Sequence, residues 1–175
     1  MPNILRKPLI KPLREIQIGE LFKMPLRNSW ALCLLLDEAG PRRLLGIISS
    51  PEAGHPFFLR AENDMIACVS YGSEWVIDPE AGEESFVHPH FFEDEIGTIR
   101  ISADDAWMRF DPPLGVNDFD MGNFSLLGHG EFDRNTQAVP YRQWSIWQSD
   151  EERNSRHGQP LVRIVGRSAR PDVQP

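Results

Sequence analysis

The sharpest chemical pattern in this sequence is Gly82, His88, His90 and Glu95. Histidines two apart on a strand point the same way, and a carboxylate on the next strand completes a three-ligand metal site. Pro89 stands between the two histidines, however, and proline is a poor member of a paired strand. The expectation is that His88 and His90 are not ligands, that no metal or other cofactor is bound, and that the stretch is a His-Pro-His loop leading into an acidic turn. Nucleophile chemistry has no visible carrier: Gly-x-Ser-x-Gly, a phosphate-binding glycine loop and the dinucleotide fingerprint are all missing. Carboxylates are plentiful, notably Glu93-Asp94-Glu95 and Asp104-Asp105, but runs of this kind are more often solvated than catalytic.

Charge is spread unevenly. Residues 1–50 hold eight Lys and Arg against four Asp and Glu, a net +4, whereas residues 51–125 hold three against sixteen, a net −13. Residues 126–175 return to +1, and the whole chain carries −8. An acidic middle segment repels nucleic-acid phosphate and attracts basic partners. Nucleic-acid binding is therefore disfavoured. The bland reading is a solvated face that serves solubility.

The elements that must position these residues read as strands. Phe22, Met24 and Leu26 alternate with Lys23 and Pro25, which gives one face in and one face out. Pro25 lacks an N–H, so this strand should lie at an edge or carry a bulge. Arg27-Asn28-Ser29 has turn chemistry. Trp30 to Leu36 is apolar without a break and suits a strand covered on both faces, with a helix as the alternative. Asp37 to Pro41 should end it, since Gly-Pro breaks either element, and Leu44 to Ile48 makes a third strand.

Further on, Met65 to Tyr71 and Glu74 to Ile77 read as strands joined by a tight hairpin at Gly72-Ser73. Ile99 and Ile101 alternate with polar residues. Ala106, Met108 and Phe110 alternate with Trp107 and Arg109, which predicts a second hairpin with Trp107 facing outward. Leu114 to Gly130 reads as a long loop holding one short strand. Tyr141, Trp144 and Trp147 at i, i+3, i+6 predict a helix over Pro140–Glu152, although the same residues also suit a strand. Leu161 to Val165 is a last strand. Cys33 and Cys68 sit inside apolar runs and read as buried thiols. The prolines at 2, 8 and 12 make residues 1–15 an extended arm. Residues 16–166 form one globular β-rich domain, and 167–175 a disordered tail. No apolar run approaches the roughly 18 residues that span a bilayer, and no secretory signal is visible, so a cytoplasmic protein without membrane contact is expected.

Three resemblances bear on function. Gly82, His88, His90 and Glu95 resemble the first metal motif of the cupin family, which implies a metal-dependent enzyme using His88, His90 and Glu95. The match departs at Ser102, where that motif has glycine. It departs again at Gly128-His129-Gly130 and Asn135, whose spacing differs from the second motif. Asp118 to Gly122 resembles the start of a calcium loop, but Gly122 comes one position early and His129 stands where a glutamate is needed. The third resemblance is carried by Gly19-Glu20-Leu21-Phe22-Lys23-Met24-Pro25-Leu26, followed by the turn at Asn28-Ser29 and the strand Trp30 to Leu36. It is similar to the opening of a family of bacterial immunity proteins from polymorphic toxin systems, although Ala31-Leu32-Cys33-Leu34 replaces that family's glycine and tyrosine alternation. This resemblance implies a compact β-rich fold and a binding role without catalysis.

Together these observations predict a mainly β (α+β) domain: an antiparallel curved sheet or partly open barrel with one C-terminal helix. They favour a non-enzymatic protein-binding module, an immunity protein that neutralises a basic toxin through an acidic surface. The alternative is the cupin-like enzyme. The expected partner-binding residues are Glu93, Asp94, Glu95, Asp104, Asp105 and Trp107, forming one negative patch around an exposed indole. An aromatic face flanked by carboxylates suits an arginine-rich partner.

Overall fold

The structure, a computed structural model, describes residues 9–62, 65–82, 95–111, 123–130 and 137–166. Its centre is the predicted meander: β2 (Leu21–Leu26), β3 (Ser29–Ala39) and β4 (Arg42–Ser49), paired antiparallel. Pro25 is tolerated because β2 has a second neighbour only as far as Lys23, so a proline beyond that point withholds no ladder hydrogen bond on that side. β3 runs farther than expected, through Asp37 and Glu38 to Ala39. A register slip between Leu35 and Asp37 bends the strand, and an ion pair of 2.7 Å between Arg43 and Glu38 ties the far end of the hairpin. The reversal is left to Gly40, whose φ of 62° suits glycine.

β5 (Phe57–Ala61) adds to β4, β6 (Ala67–Gly72) returns beside β2, and β1 (Leu9–Pro12) closes the order β1-β6-β2-β3-β4-β5. Residues 9–15, expected to be an arm outside the domain, are thus part of it. β1 is an edge strand, and the 3-10 turn Leu13–Glu15 buries Leu13 completely. Proline excludes a helix there, but it leaves an extended strand at a sheet edge available.

Both faces of the six-stranded sheet are covered. Phe22, Met24, Ala31, Cys33, Leu35, Leu45, Ile47 and Cys68 share one cluster, closed by Leu13 and Ile16. Leu21, Leu32, Leu34, Leu36 and Ile48 face the other way, into a cluster with Ile99, Met108, Phe110, Trp144, Ile146 and Ile164. This two-sided burial is why Trp30 to Leu36 reads as an unbroken apolar run.

Two small antiparallel sheets supply that second cluster. One has β8 (Ile99–Ile101), β9 (Ala106–Arg109), β10 (Asn123–Ser125) and β11 (Val139–Tyr141) in the order β10-β9-β8-β11. The hairpin of β8 and β9 is the one expected. The other sheet has β7 (Val76–Pro79), β12 (Gln143–Trp147) and β13 (Val162–Val165) in the order β13-β12-β7. The expected hairpin at Gly72-Ser73 does not form, since β7 pairs with β12 and not with β6.

The helix expected over Pro140–Glu152 is also corrected. Its first part is β11 and β12, which lie in different sheets and meet at Arg142; Tyr141 ends β11, whereas Trp144 and Trp147, three residues apart in one strand, stand on opposite faces of β12. Trp144 and Ile146 point into the core, and the Trp144 indole donates to Gly97 O at 2.7 Å. The one α-helix among the described residues, α1 (Asp150–Asn154), begins only where Ser149 accepts a capping bond from Glu152 N. Among the described residues the fold is therefore mainly β, with one short α-helix near the C-terminal end. Among the described residues no helix is long and apolar enough to cross a membrane.

Candidate binding site

The expected acidic patch is rearranged by the fold. Glu93 and Asp94, like His88, His90 and the stretch Asp118 to Gly122, lie outside the described residues. Glu95 is held by the Arg142 guanidinium at 2.6 and 2.8 Å, so its carboxylate is occupied by an arginine. Asp105 turns inward. Its Oδ1 accepts from Ala106 N at 2.6 Å and Ser125 Oγ at 2.9 Å, and its Oδ2 lies 2.9 Å from Nδ1 of the exposed His129. Asp104 remains exposed in the turn.

Trp107 is not exposed: it retains 8% of its surface. Met108 and Phe110 are buried as expected, so the register was right. The opposite face, expected to be open, is covered as well. β9 is an interior strand with Arg100 and Ser125 as the Cα partners of Trp107, and both of its faces are covered.

Some of the acidic residues of the middle segment are paired with arginines elsewhere in the chain. Asp78 binds Arg153 at 2.8 Å, Glu80 binds Arg163 at 2.5 Å, and Glu62 lies 3.5 Å from Arg42. The Arg163 guanidinium holds the Glu80 carboxyl below the usual carboxylate range. Among the described residues, no group of three or more His, Cys, Asp or Glu is placed to hold a metal ion.

A different surface has the character of a site. The tip of the β2–β3 hairpin carries Pro25, Arg27 and Trp30, all exposed. Pro25 and Trp30 are cross-strand partners and share a face. Trp30 continues the row of Leu32 and Leu34 past the end of β4, whose last partner is Leu32, so the indole has no strand to cover it and stays 53% exposed. Arg27 has a φ of 52°, the one described residue other than glycine in the left-handed region. Such residues are strained, and strain of this kind collects at functional positions.

Beneath the tip lies a cavity of about 370 Å³ lined by Leu26, Phe57 and Leu59 below and by Arg27, Glu52, His55 and Asp111 around its rim. Its walls are fixed from several directions. Asn28 N donates to Glu52 Oε1 at 3.0 Å, which ties the hairpin tip to the loop before β5. His55 Nε2 lies 2.8 Å from Asp111 Oδ2. Phe58 N donates to Asp111 O at 3.0 Å, and Asp111 N donates to Pro56 O at 3.1 Å. The same Ala53–His55 loop forms the wall of a second cavity, about 410 Å³, whose other side is β13.

A pocket with an apolar floor, a few fixed polar groups and walls formed in advance is the usual form of a binding site. Sequence reasoning missed it because its parts come from positions 26, 52–59 and 111, with no local pattern to link them. The one available signal was Trp30, at the start of an apolar run and next to a turn. Comparison with known protein families, with curated proteins and with solved structures finds no match for this chain.

Proposed function

We propose that the chain is a non-enzymatic protein-binding module of the immunity type, which neutralises a basic protein partner in the cytoplasm, and that the β2–β3 hairpin tip is where it meets that partner. The observation that carries this reading is Trp30, a half-exposed indole on the β2–β3 hairpin beside exposed Pro25 and Arg27. Tryptophan and arginine dominate the energetics of protein interfaces, and a preformed tip loses little entropy on docking. The chain's net charge of −8 supports a basic partner, because long-range attraction raises the rate of encounter. Asp104, exposed in the β8–β9 turn, contributes to that field, whereas Glu95, Asp105 and Trp107 act in holding the fold.

The test is a calorimetric titration of the purified chain against a basic toxin of a candidate toxin–immunity pair, with inhibition of the toxin as a second readout. A stoichiometric complex is expected, and Trp30→Ala should weaken it at least about tenfold, as removal of a central indole does. A complex that forms equally well with Trp30→Ala and Arg27→Ala would remove the hairpin tip from the interface. Absence of both binding and inhibition would overturn the immunity reading.

A further inference from the structure

We propose that the cavity beneath the hairpin receives one cationic side chain with an aliphatic stem, an arginine or a lysine, from the protein partner. This rests on the binding reading above and adds the chemistry of the anchor.

The floor of Leu26, Phe57 and Leu59 gives an apolar stem a place to lie. The rim offers two carboxylates, Glu52 and Asp111. In each, one oxygen is already engaged within the protein: Glu52 Oε1 by Asn28 N, and Asp111 Oδ2 by His55. Those bonds fix both side chains before any ligand arrives. Among the described residues the second oxygen of each, Glu52 Oε2 and Asp111 Oδ1, has no partner, which leaves two acceptors for N–H donors of an incoming cation. Arg27 and His55 are the other titratable groups on the rim. Charge-assisted bonds from a guanidinium or ammonium to carboxylate oxygens are the strong class of hydrogen bond. A volume of about 370 Å³ is at the small end for ligand pockets, which fits a single long side chain better than a large cofactor.

The experiment uses n-butylguanidinium as a probe of the pocket alone, followed by amide chemical shifts of the full chain. Its neutral isostere n-butylurea and the anion hexanoate serve as comparisons. Butylguanidinium should shift the amides of residues 52–59 and 111 with a Kd of about 1 mM, as suits a fragment of that size. Butylurea should bind about tenfold more weakly, consistent with loss of a charge-assisted contact. Glu52→Gln retains an oxygen for Asn28 N and therefore the hairpin tie. It should weaken butylguanidinium severalfold while the rest of the spectrum stays unchanged, and adding Asp111→Asn should weaken it further. Equal binding of butylurea, preference for hexanoate, or no shift of these amides at saturating probe would overturn the proposal. If a partner docks through Trp30 and leaves the pocket open to butylguanidinium, the hairpin contact stands and the side-chain anchor falls.

Discussion

Replacing Arg27 by glycine should make the protein more stable and a poorer binder at once. Arg27 holds a φ of 52°. For an L-residue the left-handed region costs about 1–2 kcal/mol through the approach of Cβ to the following carbonyl. Glycine avoids that cost but gives back about 0.4–1 kcal/mol through its greater freedom in the unfolded chain. The net gain is about 0–1.6 kcal/mol, centred near 0.8 kcal/mol. The side chain is exposed and no described residue bonds to it, so its loss subtracts little.

For a domain of this size, 1 kcal/mol corresponds to about 2–4 °C in Tm. The assay is urea unfolding followed by tryptophan fluorescence, with the midpoint rising and the slope unchanged. Two controls isolate the cause. Arg27→Ala keeps the Cβ and should leave stability within about 0.5 kcal/mol of the parent. Arg27→Asn should fall between the two, because asparagine tolerates this backbone region. If Arg27→Gly is neutral or destabilising, or if Arg27→Ala gains as much, the strain argument is wrong.

Acid stability should depend on Glu20. Burial pushes its carboxyl up, but bonds from Lys11, Ser70 and Gln17 N outweigh burial and hold it below its ordinary value of 4.5. Its contribution is therefore complete above about pH 4.5 and is lost as pH falls through the lower folded-state value. Glu20→Gln should flatten the acid limb of stability against pH, and an unchanged limb would refute this. Gly46→Ala should destabilise by about 1–3 kcal/mol in urea unfolding, because its Cβ would lie 2.6 Å from Cζ of the fully buried Phe110 ring. The thiols should resist a disulfide reagent at pH 8 until the chain unfolds. Cys68 is raised to about 11 by burial and by the charge of Glu20, and Cys33 is raised further by burial. Rapid labelling of the native protein would contradict the burial of both.

The sequence made the local pattern visible and hid what depends on pairing at a distance. The β2–β3–β4 meander was legible because its strands alternate or run apolar and are joined by short turns. The β8–β9 hairpin was legible for the same reason. The helix expected over Pro140–Glu152 failed because a three-residue spacing does not reveal that Tyr141 ends one strand while Trp144 and Trp147 occupy opposite faces of the next. The hairpin at Gly72-Ser73 failed because the partner of β7 lies more than sixty residues away, in β12. Trp107 was placed on the correct face by its period, but a period cannot say whether that face is covered. The cavity was illegible for a related reason: Leu26, Glu52 and Asp111 meet only through the curvature of the sheet and the bridge between Phe57 and Asp111.

The pairing of the acidic middle with the later arginines has a consequence for the order in which the chain is made. Glu80 and Arg163 are 83 residues apart, Asp78 and Arg153 are 75 apart, and Glu95 and Arg142 are 47 apart. A ribosome releases the acidic stretch well before the strand and the cations that complete it. During that interval β7 has no β12 to pair with, and its carboxylates repel one another. The meander of residues 21–49, whose contacts are local, is free to close early, while the β13-β12-β7 sheet must wait for nearly the whole chain. Self-repulsion in the waiting segment would keep a solitary strand solvated and apart from its copies on neighbouring nascent chains. Arg153 and Arg163, which bind Asp78 and Glu80 in the finished fold, emerge only at the end of that interval.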